Sequence, residues 1–513
     1  MPVRLASVNG SNRSGGGSFF MNNTAFDMPV EALFPTEAER SRLIAMLAAE
    51  LENTRDQICG GRVTPALDCK RFKAELSRFT FTSPVNLEEL LNWTVQQLRD
   101  GIVQMTHPRY FGLFNPAPGF PSILADYIAA TFNPQLAAAK TSPAAIAIEN
   151  HVISQVAHRA SLPAGSAGHF TNGGSEANFT ALICALTKIS VSFRDIGARA
   201  FRTPPAVYVS REAHQAWFKI AHQAGIGRLA IRVIETDGEG RMSDAALAEA
   251  VRADIANGAI PVMIVATAGT TAAGMIDPLR ACAKIAESAG AWYHIDAAWG
   301  GAAIASEQLR PLLAGIELAD SVTIDAHKWF ATTMGCGMFI TSQPWILKEA
   351  FGITASFMPA GQDIPDPYTT SMLWSRRFLG LRLFLNLATA GWPGYAQHIE
   401  RTLALTDLLR TQLSEQGWVV VNPAALGVLC VLPPFPHRPV HEITAAIIAS
   451  GEAWVAVTNF EGRDVIRICI TNGQTDQVDI ATLIELLKRH SVIQTASDNH
   501  LKSGEEPLYS RQH

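Results

Sequence analysis

Between about residue 165 and residue 340, short runs of near-continuous apolar residues alternate with helical segments. The runs are AVYV (206–209), LAIRVI (229–234), IPVMIVA (260–266), AWYHI (291–295), SVTI (321–324) and GMFIT (337–341). Helical spacing of apolar residues fills 214–224, 243–256 and 278–289 between them. Strands apolar on both faces and separated by helices make a mostly parallel sheet covered on both sides, which places the chain in the α/β class. In such sheets ligands bind beyond the carboxyl ends of the strands. The residues at those ends therefore carry most of the functional information.

Thr267 and Asp296 stand at two of these ends, and a third strand leads into Asp325-Ala326-His327-Lys328-Trp329. A lysine at the mouth of a buried strand, beside a histidine and a tryptophan, is oddly placed for a solvated charge. Desolvation favours the neutral amine, and the neutral amine is the form that condenses with an aldehyde. Taken singly, a strand-end Lys is usually half of an ion pair and a strand-end Asp a turn former. Together, a lysine for an imine and an acid for a ring nitrogen are the two anchors of a pyridoxal phosphate (PLP) site.

Two further segments point the same way. Thr171-Asn172-Gly173-Gly174-Ser175-Glu176-Ala177-Asn178 leads into the helical FTALICAL. Its glycines permit close backbone approach, and the helix start offers free N–H groups to an anion such as phosphate. A dinucleotide fingerprint G-x-G-x-x-G is absent from it. His214 follows a strand and opens a helix, where a ring that stacks on a cofactor would be useful; a lone His is also a common packing residue.

The 513 residues are 48% hydrophobic and carry 41 basic against 46 acidic side chains, with no long basic run, which argues against a nucleic-acid partner. Seven scattered cysteines without CxxC spacing argue against a disulfide framework or a metal site, and for a reducing, cytoplasmic home. The opening MPVRLASVNGSNRSGGGS lacks the apolar core of a secretory signal, and the apolar stretch 260–276 is too short and polar to span a bilayer. The pattern predicts a disordered N-terminus over 1–25, an N-terminal helical segment over 26–105, and a large domain over 106–378 with a long irregular loop near 355–375. A small C-terminal α+β domain follows over 379–492, then a flexible tail over 493–513.

These pieces, in this order, resemble the group II PLP-dependent amino-acid decarboxylases (aromatic-L-amino-acid, glutamate and diaminobutyrate decarboxylase-like). The matching stretches are HPRYFGLF (107–114), TNGGSEAN (171–178), the His214 segment, ATAGTT (266–271), HIDAAWGG (294–301), DAHKW (325–329), SRR (375–377) and IRICITNGQT (466–475). The resemblance implies PLP fold type I (aspartate aminotransferase-like). It implies decarboxylation of an L-amino acid to the amine plus CO2 through an external aldimine and a quinonoid.

By the same resemblance Lys328 carries the cofactor, Asp296 holds the pyridine nitrogen protonated, Ala298 packs on one ring face and His214 stacks on the other. Gly174, Ser175 and His327 hold the phosphate, and Thr267 touches Asp296 or the cofactor's edge. Asp325 stands where many relatives carry Asn, and a carboxylate facing the phosphate would repel it. Relatives return a proton to Cα from a loop tyrosine. Tyr368 is the candidate here, and the competing loop position holds Phe357. Without that donor the alternative is an aldehyde synthase, which decarboxylates with oxidative deamination.

The expected substrate is aromatic or apolar, with an acidic or basic amino acid as the alternative. Phe111, Phe114 and Phe120 are candidate pocket residues, with core packing favoured for at least two of them. Arg376 and Arg377 are candidate carboxylate clamps or loop ties, with the tie favoured, and Arg467 is open between the same roles. The partners implied are a small-molecule amino acid and a second copy of the chain, with the site at the homodimer interface.

Overall fold

The computed structural model describes residues 32–66, 68–354, 365–423 and 425–492. These fall into two compact units, the first made of residues 32–57 and 68–99 and the second of the remainder. The termini and residues 355–364, including Phe357, lie outside the described residues.

The first unit is helical and draws on α1 (Glu37–Gly60), α2 (Cys69–Leu76) and α3 (Leu87–Gly101). The Asp68 carboxylate caps α2 by accepting from the amides of Lys70 and Arg71. Trp93 of α3 packs on Phe79 at 4.7 Å between ring centroids and stacks with Phe72 at 6.4 Å.

The second unit begins with α4 (Phe120–Phe132), α5 (Pro143–Arg159), β1 (Ala167–Thr171), α6 (Gly174–Ile189), the short α7 (Phe193–Ile196), β2 (Pro205–Ser210), α8 (Ala216–Gln223) and β3 (Ile231–Ile234). It continues through α9 (Asp244–Ala256), β4 (Ile260–Thr267), α10 (Leu279–Ala289), β5 (Trp292–Asp296), β6 (Ser321–Asp325), β7 (Gly337–Thr341) and α11 (Trp345–Phe351). After α12 (Gly380–Glu415) come β8 (Val419–Val420), β9 (Val428–Leu432), α13 (Val440–Ser450), β10 (Ala456–Phe460), β11 (Arg463–Cys469) and α14 (Gln477–Ser491).

The large sheet has seven strands in the order β1-β7-β6-β5-β4-β2-β3. Strand β7 is antiparallel to both its neighbours, and the other pairings are parallel. Apolar side chains from its two faces form separate cores, one against α5, α9, α10 and the start of α12, the other against α6, α8 and α11. That two-sided burial is why the strands read as continuous apolar runs. A four-stranded antiparallel sheet, β10-β11-β9-β8, packs with α13 and α14 around a third core.

The sequence did not show β1, α11 or α13. Strand β1 reads AGHFT and has little strand propensity of its own. Its place is set by β7: a Cβ on Gly168 would lie 1.9 Å from the carbonyl oxygen of Phe339, so only glycine allows the two strands to close. Helix α12 is interrupted. Gly391 adopts φ 64°, ψ 174°, two residues before Pro393, which has no N–H to continue the ladder. Among the described residues no helix is long and apolar enough to cross a membrane.

Candidate active site

Strands β4, β5 and β6 lie side by side and end together. Thr267 and Asp296 are paired in register, as are Asp296 and Thr323, so the acid sits at the centre of this edge. The chain beyond β6 turns back immediately, with the Lys328 amide donating to the Asp325 carbonyl. That turn brings Lys328 to a cavity of about 400 Å³ at the same edge. Gly174, Ser175, His214, Thr267, Asp296, Ala298, Asp325, His327 and Lys328 all line it. Nine of the ten residues expected from sequence are therefore brought to one cavity.

The electrostatics differ in one respect from the sequence argument. Lys328 is not fully desolvated: its side chain is 22% exposed, and Nζ lies 3.1 Å from Asp325 Oδ2. Asp325 itself is buried, and its Oδ1 has no hydrogen-bond partner among the described residues. A Cβ on Gly174 would stand 3.0 Å from Asp325 Oδ2 and 3.3 Å from Ala298 Cβ, so the glycine keeps the floor of the cavity open. The Asp325 charge thus lies beside the glycine cradle, with the Lys328 amine as its partner.

Asp296 receives a donor on each oxygen, from the Asn178 amide at 2.8 Å and from the Ala298 backbone at 3.2 Å. Buried Asp277 accepts from the Thr267 backbone at 2.7 Å and from that of Met242 at 2.7 Å, which pins the end of β4 from behind. Burial pushes its carboxyl up to about 6. Thr267 Oγ1 is buried and unpartnered among the described residues. His214 stands exposed at the rim, with Nδ1 accepting from the Ala216 amide at 3.2 Å.

Tyr368 is not at the cavity. It lies in a short 3-10 turn (Pro367–Thr369), buried, with its ring 4.8 Å from Trp374 and its amide bonded to the Ala137 carbonyl. Pro367 fixes the turn, and the Tyr368–Trp374 pair anchors it. The Arg376 guanidinium is a structural tie. It meets Glu149 at 3.2 Å, with both side chains at most 5% exposed, and also bonds the Phe170 carbonyl. Arg377 is exposed. Arg467 donates to the carbonyls of Thr271 and Gly112 and lies 4.6 Å from the Phe114 ring centroid.

Of the three phenylalanines, Phe111 is wholly buried and Phe120 is 52% exposed. Phe114 stacks on Trp299 at 4.0 Å, with Lys328 Nζ 5.7 Å from its ring centroid. Trp299 lines the cavity and stacks in turn on Trp329 at 4.6 Å. Sequence reasoning missed Trp299, Asn178 and Asp277. Asn178 was within reach, since it closes the glycine-rich segment one turn into α6.

A lysine and an acid at one strand-edge cavity, beside a glycine-opened helix start and a rim imidazole, define an enzyme built around an aldehyde cofactor bearing a phosphate. A family model for the pyridoxal-dependent decarboxylase conserved domain matches residues 75–430, and the chain belongs to that family. It is 28% identical to tyrosine decarboxylase 2 of Narcissus pseudonarcissus over 436 residues, covering 81% of this chain and 86% of that one. It is 27% identical to phenylacetaldehyde synthase of Arabidopsis thaliana over 432 residues, covering 80% and 86%. The fold matches the crystal structure of Oryza sativa TDC with PLP and tryptamine at a TM-score of 0.84 and 22% identity, covering 89% of this chain and 98% of that one.

The protein is accordingly a PLP-dependent carboxy-lyase. Its site fits the cofactor. The orphaned Thr267 Oγ1 and Asp325 Oδ1 are buried polar atoms awaiting a partner, and the Gly174 cradle is space that any side chain would fill.

Proposed function

We propose that the chain removes CO2 from an L-amino acid with an aromatic or apolar side chain and releases the amine. The observation that carries this reading is the shared cavity of Lys328 and Asp296 at the ends of β5 and β6. PLP, when bound, supplies the electron sink for the bond broken at Cα. Lys328 is the residue that holds its aldehyde carbon, and Asp296 keeps a proton on the ring nitrogen opposite. Ala298 and His214 bracket the ring, and the amides at the start of α6 with Ser175 and His327 take the phosphate. The proton that returns to Cα comes from a group at the cavity, and Lys328 and His214 are the described residues suited to it. Trp299, with Phe114 stacked behind it, gives the cavity an aromatic wall, which supports an aromatic or apolar substrate.

A second reading rests on Tyr368. The Tyr368 ring packs on Trp374 and does not line this chain's cavity, which supports a site without that tyrosine donor. Decarboxylation coupled to oxidative deamination would then consume O2 and water and yield aldehyde, CO2, ammonia and hydrogen peroxide. An amino-acid panel read by CO2 release and product mass spectrometry tests both readings. Amine without peroxide supports the first and aldehyde with peroxide the second, whereas no CO2 from any amino acid overturns both.

We further propose a homodimer, as the resemblance implies. Phe120, Ile123, Leu124, Tyr127, Ile128 and Phe132 form a continuous exposed apolar stripe along α4, each at least 41% exposed.

A further inference from the structure

Asp296 stands at the end of a buried chain of hydrogen bonds whose direction is fixed from both ends. A carboxylate only accepts, so Asn178 must turn Nδ2 toward Asp296 Oδ2, 2.8 Å away. Its Oδ1 then faces His294 Nε2 at 3.0 Å, and that nitrogen must carry the proton. The far end agrees. An indole N–H only donates, so Trp292 Nε1 gives its hydrogen to Ser321 Oγ at 2.7 Å. Ser321 is then free to donate to His294 Nδ1 at 2.8 Å, which requires that nitrogen to be bare. Burial lowers the His294 ring to about 4, consistent with a neutral imidazole holding one proton. Trp292, Ser321, His294 and Asn178 are all buried, so no solvent competes for these bonds.

We propose that Asn178 and His294 are positioning residues that hold the Asp296 carboxylate in one orientation toward the cavity and so set how firmly the protein binds PLP. The inference rests on the reading of Asp296 as the partner of the ring nitrogen. The device resembles the partners that orient metal-bound ligands from behind, where loss of the partner is felt at the ligand. Its distinguishing property is directionality. Only a donor at position 178 can face Asp296.

The test is PLP titration of the apoprotein, followed by absorbance, for wild type, Asn178→Asp, Ser321→Ala and Asp296→Asn. In Asn178→Asp the new carboxyl is isosteric but donates only while it holds a proton. Its PLP dissociation constant, taken relative to wild type at the same pH, should rise by about tenfold or more between about pH 6 and about pH 8. A merely structural role would give a ratio that does not move with pH. Ser321→Ala, which leaves Asn178 and Asp296 in place, should weaken PLP binding by about threefold at constant fold. It carries the test if Asn178→Asp does not fold.

A pH-independent ratio for Asn178→Asp together with unchanged affinity for Ser321→Ala overturns the proposal. If Asp296→Asn also binds PLP as wild type does, the reading of Asp296 itself has failed. If Asp296→Asn alone is impaired, only the positioning role falls.

Discussion

Asp296 and Asp325 are both buried carboxylates at one cavity, and their surroundings assign them different work. Asp296 has a donor on each oxygen and no cation paired with it among the described residues, whereas Asp325 shares its charge with Lys328 at 3.1 Å. Asp325 is engaged by the lysine, which supports the proposed role of Asp296 as the ring's partner. On that proposal, replacing Asp296 with alanine removes the charge that would hold a proton on the ring nitrogen. Turnover should fall by about a hundredfold or more, with folding intact, as followed by initial rates of CO2 release. A loss of less than threefold would move the role elsewhere.

The residue scale was also where the sequence spoke most clearly. Lys328, Asp296 and Thr267 stand at strand ends, and the strand-end rule alone brings them together. Trp299 was not readable in the same way, because its stacking partner Phe114 lies far off in the chain and no local pattern records the pair. Asn178 stood in a segment already singled out, but its partner His294 lies more than a hundred residues on.

At the scale of elements, the segment around Tyr368 is held by a turn of its own. The sequence offered a tyrosine near the right place, and the Pro367 turn buries it against Trp374. Tyr368→Phe keeps the ring packing, so turnover should stay within about threefold of wild type and stability within about 0.5 kcal/mol, by steady-state kinetics and urea unfolding. A large loss of amine product with a gain of aldehyde would instead return this tyrosine to the chemistry.

Strand β1 offers an independent check of the fold. His169 is 6% exposed, its ring is 5.8 Å from Phe339 of β7, and burial, with the Arg376 charge adding to it, pushes its pKa down to about 3. The folded chain therefore keeps this ring neutral while the unfolded chain protonates it below 6.5. Its contribution to stability is full above pH 6.5 and is lost as the pH falls toward 3. His169→Gln should lessen the slope of unfolding free energy against pH by about 1.4 kcal/mol per unit between about pH 6 and about pH 4. Equal slopes for the two proteins would mean that the ring is solvated. This strand escaped the sequence analysis because its glycine and histidine carry no strand signal; β7 recruits it through a contact that only glycine permits.

For the whole molecule, the two-sided burial of the large sheet was legible because burial on both faces erases the polar alternation of a solvated strand. The surface proposed for a second copy was not, because an apolar stripe such as that on α4 looks in sequence like any helix that faces a core. The other side of α4, at Ser122 and Ala125, is the buried one, and Asp126 pairs with Arg382 at 2.7 Å. The stripe is left over. Ile128→Asp with Phe132→Asp should leave the fold intact and convert a dimer to monomers, as read by sedimentation equilibrium. An unchanged dimer would place the interface elsewhere, and a monomeric wild type would remove it.

One side chain, at position 328, is proposed to hold PLP. Borohydride reduction of the yellow holoenzyme, followed by proteolysis and peptide mass spectrometry, should find the pyridoxyl group on the peptide containing Lys328, and Lys328→Ala should yield no labelled peptide. A label on any other lysine, or undiminished labelling of the alanine variant, would contradict the account.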